Sequence, residues 1–176
     1  KIKIIAPWRE WAFVSRKDLV RYARLNKIAI DFDSGKKSPY SMDANILHTS
    51  YEGGILEDPW SGPEESMWLR TKSIEKSLNK ADILELEFKD GDIIKINKKS
   101  LSPAKILNKL NILASNHGIG RVDIVENRYV GIKSRGCYET PGGTVYHRAH
   151  KAIESITMDR ELLHLKEDLS NRYTRL

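Results

Sequence analysis

The sequence predicts an α+β fold with a mixed, largely antiparallel sheet, packed helices and a long helical C-terminal tail. Two local patterns support this prediction. Alternating apolar residues flank Asp90-Gly91, as in a β-hairpin, and apolar residues at helical spacing follow Ser102-Pro103. Strands and helices are intermixed along the rest of the chain without regular βαβ alternation, which favours α+β over α/β.

The N-terminal part of the sequence predicts short elements followed by an irregular stretch. Residues 1–5 alternate as in a strand, and Ser15, three residues before Asp18, is placed to cap a helix. Another short strand is predicted over 28–32. Residues 33–63 show no sustained periodicity. Long irregular segments inside compact domains are often functional, so we expect a site there.

The C-terminal part predicts a helix that follows Ser102-Pro103 and ends at Gly118. Further elements are predicted beyond it: strands over 121–125 and 129–133, a turn over 140–143, and a helical tail over 145–173 that breaks near 157–159. No repeat or low-complexity tract interrupts this order, so the pattern is that of one ordinary domain.

Charge and composition exclude several classes of function. The 30 Lys+Arg and 24 Asp+Glu give a net charge of +6, but acids and bases are interleaved, as between Lys151 and Arg175. Such mixing is typical of a solvated helix face, and no nucleic-acid partner is expected.

The single cysteine, Cys137, excludes an internal disulfide framework. No apolar run approaches the roughly 20 residues of a membrane span, so we expect no membrane association and a cytoplasmic location.

Glu126 and Tyr138 are the first candidate site residues. Glu126 lies between two predicted strands, and Tyr138 follows twelve residues later. A carboxylate and a phenol at the ends of neighbouring strands can converge on a ligand ammonium, because both accept hydrogen bonds. The alternative is that Glu126 lies in a turn and Tyr138 packs in the core.

Other polar residues suggest weaker sites. Hydroxyls and glycines concentrate in residues 40–54, although each serine there is individually more typical of a turn. His147 and His150, with Glu154 one turn further, have helical spacing but too few partners for a metal site, so no metal ligand is predicted. Cys137 is expected to be an ordinary buried or half-buried thiol.

Runs of residues along the chain occur in the order shown by one enzyme family: residues 3–9, 39–43 with Asn45, 50–60, 117–121, 123–128, 131–135, 138–142 and 157–161. They resemble the argininosuccinate synthase family over essentially the whole chain, most specifically between residues 123 and 141. The resemblance implies a carbon–nitrogen ligase of arginine biosynthesis that condenses citrulline with aspartate while ATP is split to AMP and pyrophosphate. It also implies magnesium with the ATP and a homotetramer.

The resemblance maps citrulline contacts onto Ser41, Ser50, Glu126 and Tyr138. Glu126 and Tyr138 suit the α-ammonium of the amino acid, and the serines suit its other polar ends. None of the four is expected to be an acid–base catalyst, because their task is to position the weakly nucleophilic ureido oxygen against the α-phosphate of ATP.

The chain departs from the family pattern at its start. The family's Ser-Gly-Gly-containing pyrophosphate loop does not occur in it, so no ATP-binding residue is predicted here. We expect residues 1–5 to be the last strand of a nucleotide-binding domain. Residues 6–176 are expected to be the synthetase domain, concerned with citrulline binding and multimerisation, without the family's C-terminal extension. Such a chain alone is expected to be inactive. The alternative is a non-catalytic basic binding or assembly module derived from this domain.

Overall fold

The computed structural model describes residues 2–29 and 40–174, and it confirms the α+β class. The chain divides into two compact units, Lys1–Ser38 and Pro39–Leu176. Both units contain helix, whereas the described strands all belong to the second unit. The candidate site residues are all in the second unit.

The first unit contains a 3-10 turn at Pro7–Arg9 and helix α1 at Arg16–Leu25. The helix begins where the sequence predicts. The Ser15 hydroxyl accepts from the Asp18 backbone N–H, and the Asp18 carboxylate accepts from the Ser15 backbone N–H. This reciprocal pair satisfies backbone donors that the first helical turn leaves unpaired.

Residues 2–5 form no strand, although their alternation predicts one. Ile2 and Ile4 are 97% and 87% exposed. An alternating segment becomes a strand only when another strand pairs with its backbone, and residues 2–29 contain no such partner. The assignment of residues 1–5 to a preceding domain stays a prediction. The strand predicted over 28–32 lies, from residue 30 onward, outside the described residues.

The second unit contains seven described strands and three described α-helices. In chain order they are β1 (Ser41–Ala44), β2 (Thr49–Glu52), β3 (Leu86–Lys89), β4 (Asp92–Ile96), β5 (Lys99–Ser100), α2 (Pro103–Asn116), β6 (Arg121–Asn127), β7 (Lys133–Glu139), α3 (Pro141–Thr157) and α4 (Arg160–Tyr173). The strands form two antiparallel sheets, one ordered β1-β2-β7-β6 and the other β3-β4-β5.

The hairpin β1–β2 corrects the prediction that residues 33–63 are irregular throughout. Its turn is fixed by Asn45, whose side-chain oxygen accepts from the backbone N–H of Leu47 at 2.8 Å and of His48 at 3.0 Å. All four residues of β1 are exposed. Because this edge strand buries neither face, its sequence lacks the apolar alternation by which strands are predicted.

The pairing of β6 with β7 corrects a second prediction. The sequence predicts a strand over 129–133, but the structure has a turn there and β7 begins at Lys133. The Gly131 N–H donates to the Arg128 carbonyl oxygen at 2.8 Å, and Gly131 has a φ of +86°. Tyrosine favours strands because its ring packs against neighbouring side chains. The Tyr129 side chain is fully exposed, so it gains no such packing.

The hairpin predicted at Asp90-Gly91 and the helix predicted after Ser102-Pro103 are both confirmed, as β3–β4 and α2. Asp90 and Gly91 have φ values of +52° and +89°, the left-handed conformations of a tight hairpin turn between β3 and β4. One face of α2 packs on this hairpin through a core of four buried residues: Ile93, Ile96, Ile106 and Leu110.

Helix α3 begins at Pro141, before the predicted start at residue 145. Gly142 lies in the first turn of this helix, where α2 approaches so closely that a side chain would not fit. A Cβ on Gly142 would lie 2.6 Å from Asn111 Oδ1 and 2.9 Å from the Leu107 carbonyl oxygen. The predicted break near residues 157–159 is confirmed between α3 and α4.

Within the described residues, no helix has both the length and the apolar character needed to cross a membrane.

Candidate functional site

The strands β1, β2, β7 and β6 present two faces with different chemistry. Residues paired across antiparallel strands share a face, and neighbours along one strand alternate between faces. The first face, here called the open face, carries Ser41, Asp43, Ser50, Glu52, Val122, Ile124, Glu126, Ser134, Gly136 and Tyr138. The second, here called the packed face, carries Met42, Thr49, Tyr51, Arg121, Asp123, Val125, Arg135, Cys137 and Glu139.

All four predicted citrulline residues lie on the open face. Ser50 is opposite Tyr138 in the β2–β7 pairing, and Ser41 lies on the edge strand β1. Glu126 is opposite Ser134, near the far end of the β6–β7 pair. Both serines are therefore on strands, whereas the sequence suggested that they lie in an irregular segment.

The side chains of Glu126 and Tyr138 meet directly. The Tyr138 hydroxyl donates a hydrogen bond to Glu126 Oε1 at 2.7 Å. Their backbones are not adjacent, because Tyr138 is opposite Val122, four residues from Glu126 on β6. The two side chains reach toward each other over Gly136, which lies between Ser134 and Tyr138 on this face. The two side chains thus meet on one face of the sheet, and their joint binding of a ligand ammonium stays a prediction.

Partial burial and the hydrogen bond to Glu126 raise the pKa of Tyr138 to about 12. The phenol therefore stays protonated at neutral pH, and its O–H group donates the hydrogen bond to Glu126. Its oxygen lone pairs remain available to accept a hydrogen bond from a ligand.

Arg128 is a site neighbour that the sequence reasoning did not single out as functional. Its Nε donates to the Ser134 hydroxyl at 2.8 Å. Its Nη2 lies 3.5 Å from Glu52 Oε1 and 4.0 Å from Glu126 Oε1. Arg128 directly follows β6, at a position that continues the alternation of Glu126, and this spacing was the available signal.

The serine hydroxyls differ from these paired groups. Among the described residues, neither the Ser41 nor the Ser50 side chain has a hydrogen-bond partner. Ser41 is exposed and Ser50 is half-buried. Both hydroxyls are free to donate to or accept from a polar ligand on the open face.

The packed face holds a carboxylate in the opposite situation. Glu139 is fully buried, and its two oxygens accept from the Tyr51 and Thr71 hydroxyls and from three consecutive backbone N–H groups, those of residues 69–71. Burial opposes the charge, but hydrogen bonds from Thr71, Tyr51 and the backbone outweigh it and lower the pKa of Glu139. This carboxylate fixes residues 69–71 against the sheet.

Cys137 is a buried thiol on the packed face, as expected. Burial, together with the nearby Asp123 carboxylate, raises its pKa to about 12. Asp123 is itself paired with Arg135, whose Nε and Nη2 donate at 2.6 and 2.7 Å. A protonated thiol in this setting is a poor nucleophile, so Cys137 belongs to the core.

On α3, the His150 ring packs edge-on against Phe88 of β3, with ring centroids 6.2 Å apart. His150 Nδ1 is 3.2 Å from Glu154 Oε1, and Glu154 is also paired with Lys166 of α4. The described part of the chain contains no cluster of three or more groups suited to hold a metal ion. Glu154 instead links α3 to α4.

The open face of this α+β domain thus combines spare acceptor positions of a carboxylate with two serine hydroxyls, groups that are able to bind a polar ligand. Residues 40–176 match the family described as the arginosuccinate synthase C-terminal domain. The chain belongs to the argininosuccinate synthase family.

Curated relatives agree with that family. The chain is 59% identical over 175 residues to an argininosuccinate synthase of Nitrosococcus oceani, covering 99% of this chain and 43% of the relative. It is 57% and 58% identical, with the same coverage, to those of Nitrosospira multiformis and Nitratiruptor sp.. The chain thus spans about two fifths of the length of these relatives, 43% in each.

Proposed function

We propose that this chain forms the citrulline-binding part of an ATP-dependent ligase. The ligase condenses citrulline with aspartate to argininosuccinate, releases AMP and pyrophosphate, and serves arginine biosynthesis. Family membership and the names of the relatives support the reaction. The observation that carries the site is the Tyr138–Glu126 hydrogen bond on the same face as both serines.

Glu126 and Tyr138 are proposed to bind the α-ammonium of citrulline. An ionised carboxylate has about four acceptor positions. Among the described residues, Glu126 accepts one hydrogen bond, from Tyr138, while the Arg128 guanidinium is 4.0 Å away. The remaining positions and the Tyr138 lone pairs can accept from an ammonium. Charge-assisted hydrogen bonds of this kind contribute about 1.5–3 kcal/mol each.

Ser41 and Ser50 are proposed to bind the other polar atoms of citrulline. Their hydroxyls lie on the neighbouring strands β1 and β2, on the same face as Glu126. None of the four residues acts as an acid–base catalyst in this proposal. They hold the ligand so that its ureido oxygen is placed against the α-phosphate, and fixed orientation lowers the barrier for a weak nucleophile.

ATP with magnesium, and aspartate, are proposed to bind mainly through the part of the enzyme that corresponds to the remaining length of the relatives. The charge of the open face supports this division. Asp43, Glu52 and Glu126 place three carboxylates there, and Arg128 is engaged by two of them. Such a surface attracts an ammonium and repels a triphosphate or a nucleic-acid backbone. A homotetramer in the cytoplasm completes the proposal.

A chimeric enzyme tests the proposal. This chain replaces the matching 175 residues of the Nitrosococcus oceani enzyme, and argininosuccinate formation is measured. Glu126→Gln removes the charge that binds the ammonium, and Tyr138→Phe removes one acceptor. We expect the KM for citrulline to rise about 10- to 100-fold in Glu126→Gln and by a smaller factor in Tyr138→Phe. The KM for ATP is expected to stay within about twofold of the unsubstituted chimera.

Matched controls use the exposed residues Glu85 and Tyr173. Glu85→Gln and Tyr173→Phe make the same chemical changes away from the open face and are expected to leave the KM for citrulline unchanged. Normal citrulline kinetics in both site variants would refute the mapped site. For the chain alone, calorimetry is expected to show weak citrulline binding, and micromolar ATP binding would contradict the proposed division of sites.

A further inference from the structure

Gly136 lies in the middle of the open face, yet its backbone conformation does not require glycine. It is on the inner strand β7, opposite Ile124, and it is buried. Unlike Gly131, it does not have a positive φ. Glycine inside a strand is less stable than alanine, because it loses more conformational freedom and has no side chain to pack. Some other requirement must therefore account for glycine at this position.

The space above Gly136 is occupied by the two central site residues. A Cβ on Gly136 would lie 2.9 Å from Glu126 Cδ and 2.9 Å from Tyr138 Cε2, and closer still to Glu126 Oε1. Glu126 thus crosses β7 where that strand has no side chain. Tyr138 approaches the same point from the other direction, and the two join by their 2.7 Å hydrogen bond.

The atoms in the way of a methyl group belong to side chains and not to the backbone. Glu126 has rotatable bonds and an exposed side on which to move, since its side chain is 26% exposed. An added methyl group therefore displaces the carboxylate without breaking the β6–β7 pairing. Gly136→Ala is therefore expected to change the geometry of the site more than the stability of the sheet.

We propose that Gly136 is a positioning residue of the ligand site: its missing side chain lets the Glu126 carboxylate lie across β7 and meet the Tyr138 hydroxyl. This inference rests on the proposed function, in which those two groups bind the ammonium of citrulline. Gly136 makes no contact with the ligand in this account and acts through Glu126.

The first test is spectroscopic and uses this chain without any ligand. In Gly136→Ala, we expect the pKa of Tyr138 to fall from about 12 toward its usual 10, because the hydrogen bond to Glu126 is lost while partial burial remains. Carbon-13 NMR of the tyrosine ring follows this titration. The control is Gly62→Ala, since Gly62 is exposed, lacks a positive φ and would place its Cβ no closer than 3.8 Å to a neighbouring atom. It should leave the Tyr138 pKa unchanged.

The second test is kinetic and uses the chimeric enzyme. Gly136→Ala is expected to raise the KM for citrulline about tenfold, with kcat and the KM for ATP within about twofold. In a Glu126→Ala background the same change should add less than about twofold, because the displaced carboxylate is already absent and the remaining contact, with Tyr138 Cε2, is relieved by a shift of the ring into the space that Glu126 leaves. An equal increase in both backgrounds, or an unchanged Tyr138 pKa in Gly136→Ala, would overturn the proposal.

These outcomes separate the inference from the function on which it rests. If Glu126→Gln raises the KM for citrulline but Gly136→Ala does not, the inference fails and the proposed function stands. If neither Glu126→Gln nor Tyr138→Phe affects citrulline, the proposed function fails, while the Tyr138 titration still reports on the geometry. If Gly136→Ala does not fold, the double variant with Glu126→Ala should fold, and failure of that variant would also refute the inference.

Discussion

Glu126 on the open face and Glu139 on the packed face are two carboxylates of the same sheet with opposite surroundings. Glu139 is fully buried and accepts from two hydroxyls and three backbone N–H groups. Glu126 is partly exposed and accepts one hydrogen bond, from Tyr138, among the described residues. Both are joined to a tyrosine hydroxyl, so the presence of a tyrosine partner does not distinguish structure from function.

The difference lies in the acceptor capacity that remains. The oxygens of Glu139 are saturated by the protein, so this carboxylate has nothing left for a ligand and its role is to hold residues 69–71. The oxygens of Glu126 have open positions that face solvent. A buried carboxylate with a full set of donors is a structural element, whereas a partly exposed one with spare positions is still able to accept hydrogen bonds from a ligand or from water.

The largest expected effect is on stability, in Glu139→Gln. The amide would turn an NH₂ group toward donors of residues 69–71 and Tyr51, leaving buried groups unpaired. We expect the free energy of unfolding to fall by about 3 kcal/mol. Urea denaturation followed by circular dichroism measures this loss.

The matched control is Glu126→Gln, which should change the free energy of unfolding by no more than about 0.5 kcal/mol. Equal losses in the two variants would show that the saturation of Glu139 does not distinguish the two carboxylates. A large loss in Glu126→Gln alone would reverse the roles assigned to the two faces.

The next effect comes from the paired tyrosines. Tyr51→Phe removes a donor to Glu139 and an acceptor for the Leu69 N–H, which is 3.2 Å from the Tyr51 hydroxyl oxygen. It is expected to cost about 1–2 kcal/mol of unfolding free energy. Tyr138→Phe removes one hydrogen bond at a partly exposed site and should cost about 0.5 kcal/mol or less.

The same urea denaturation measurements decide this second comparison. If Tyr138→Phe destabilised the fold as much as Tyr51→Phe, the Glu126–Tyr138 pair would be part of the framework. Its expected effect on the KM for citrulline would then include a structural contribution, and the separation of the two faces would be weaker than their hydrogen-bond patterns indicate.

Sequence reasoning identified the local elements that carry strong periodic or capping signals. The helix capped by Ser15, the hairpin at Asp90-Gly91 and the break before α4 are confirmed. It failed at β1 and at residues 129–133. The polar edge strand β1 has no apolar alternation to detect, and Tyr129 has high β propensity but stands exposed in a turn.

The candidate site was predictable only in part. Convergence of Glu126 and Tyr138 was inferred from their positions near strand ends, and the structure brings them together. The role proposed for Gly136 was not predictable, because it depends on the register between β6 and β7 and on side chains that cross a strand. The saturation of Glu139 by residues 69–71 is equally a product of tertiary contacts between segments distant in sequence.

The smallest expected effect is a change in the pH dependence of stability. The hydrogen bonds that outweigh burial hold the pKa of Glu139 below its usual 4.5 in the folded state. A carboxyl whose pKa is lower in the folded than in the unfolded chain stabilises the fold above about pH 4.5, and that contribution is lost as the pH falls through the folded pKa. The unfolding free energy of the unsubstituted chain should therefore decrease on acidification below this pH.

Glu139→Gln tests the assignment, because a glutamine does not titrate. Unfolding free energies measured by urea denaturation between pH 3 and pH 7 should fall less steeply with acidification in the variant than in the unsubstituted chain. A residual slope is expected from carboxyls such as Asp123, whose pKa is lowered by its hydrogen bonds from Arg135. If the two proteins showed the same dependence of unfolding free energy on pH, residues 69–71 would not be holding Glu139 in its charged form. The hydrogen bonds of Glu139 would then not explain how it differs from Glu126.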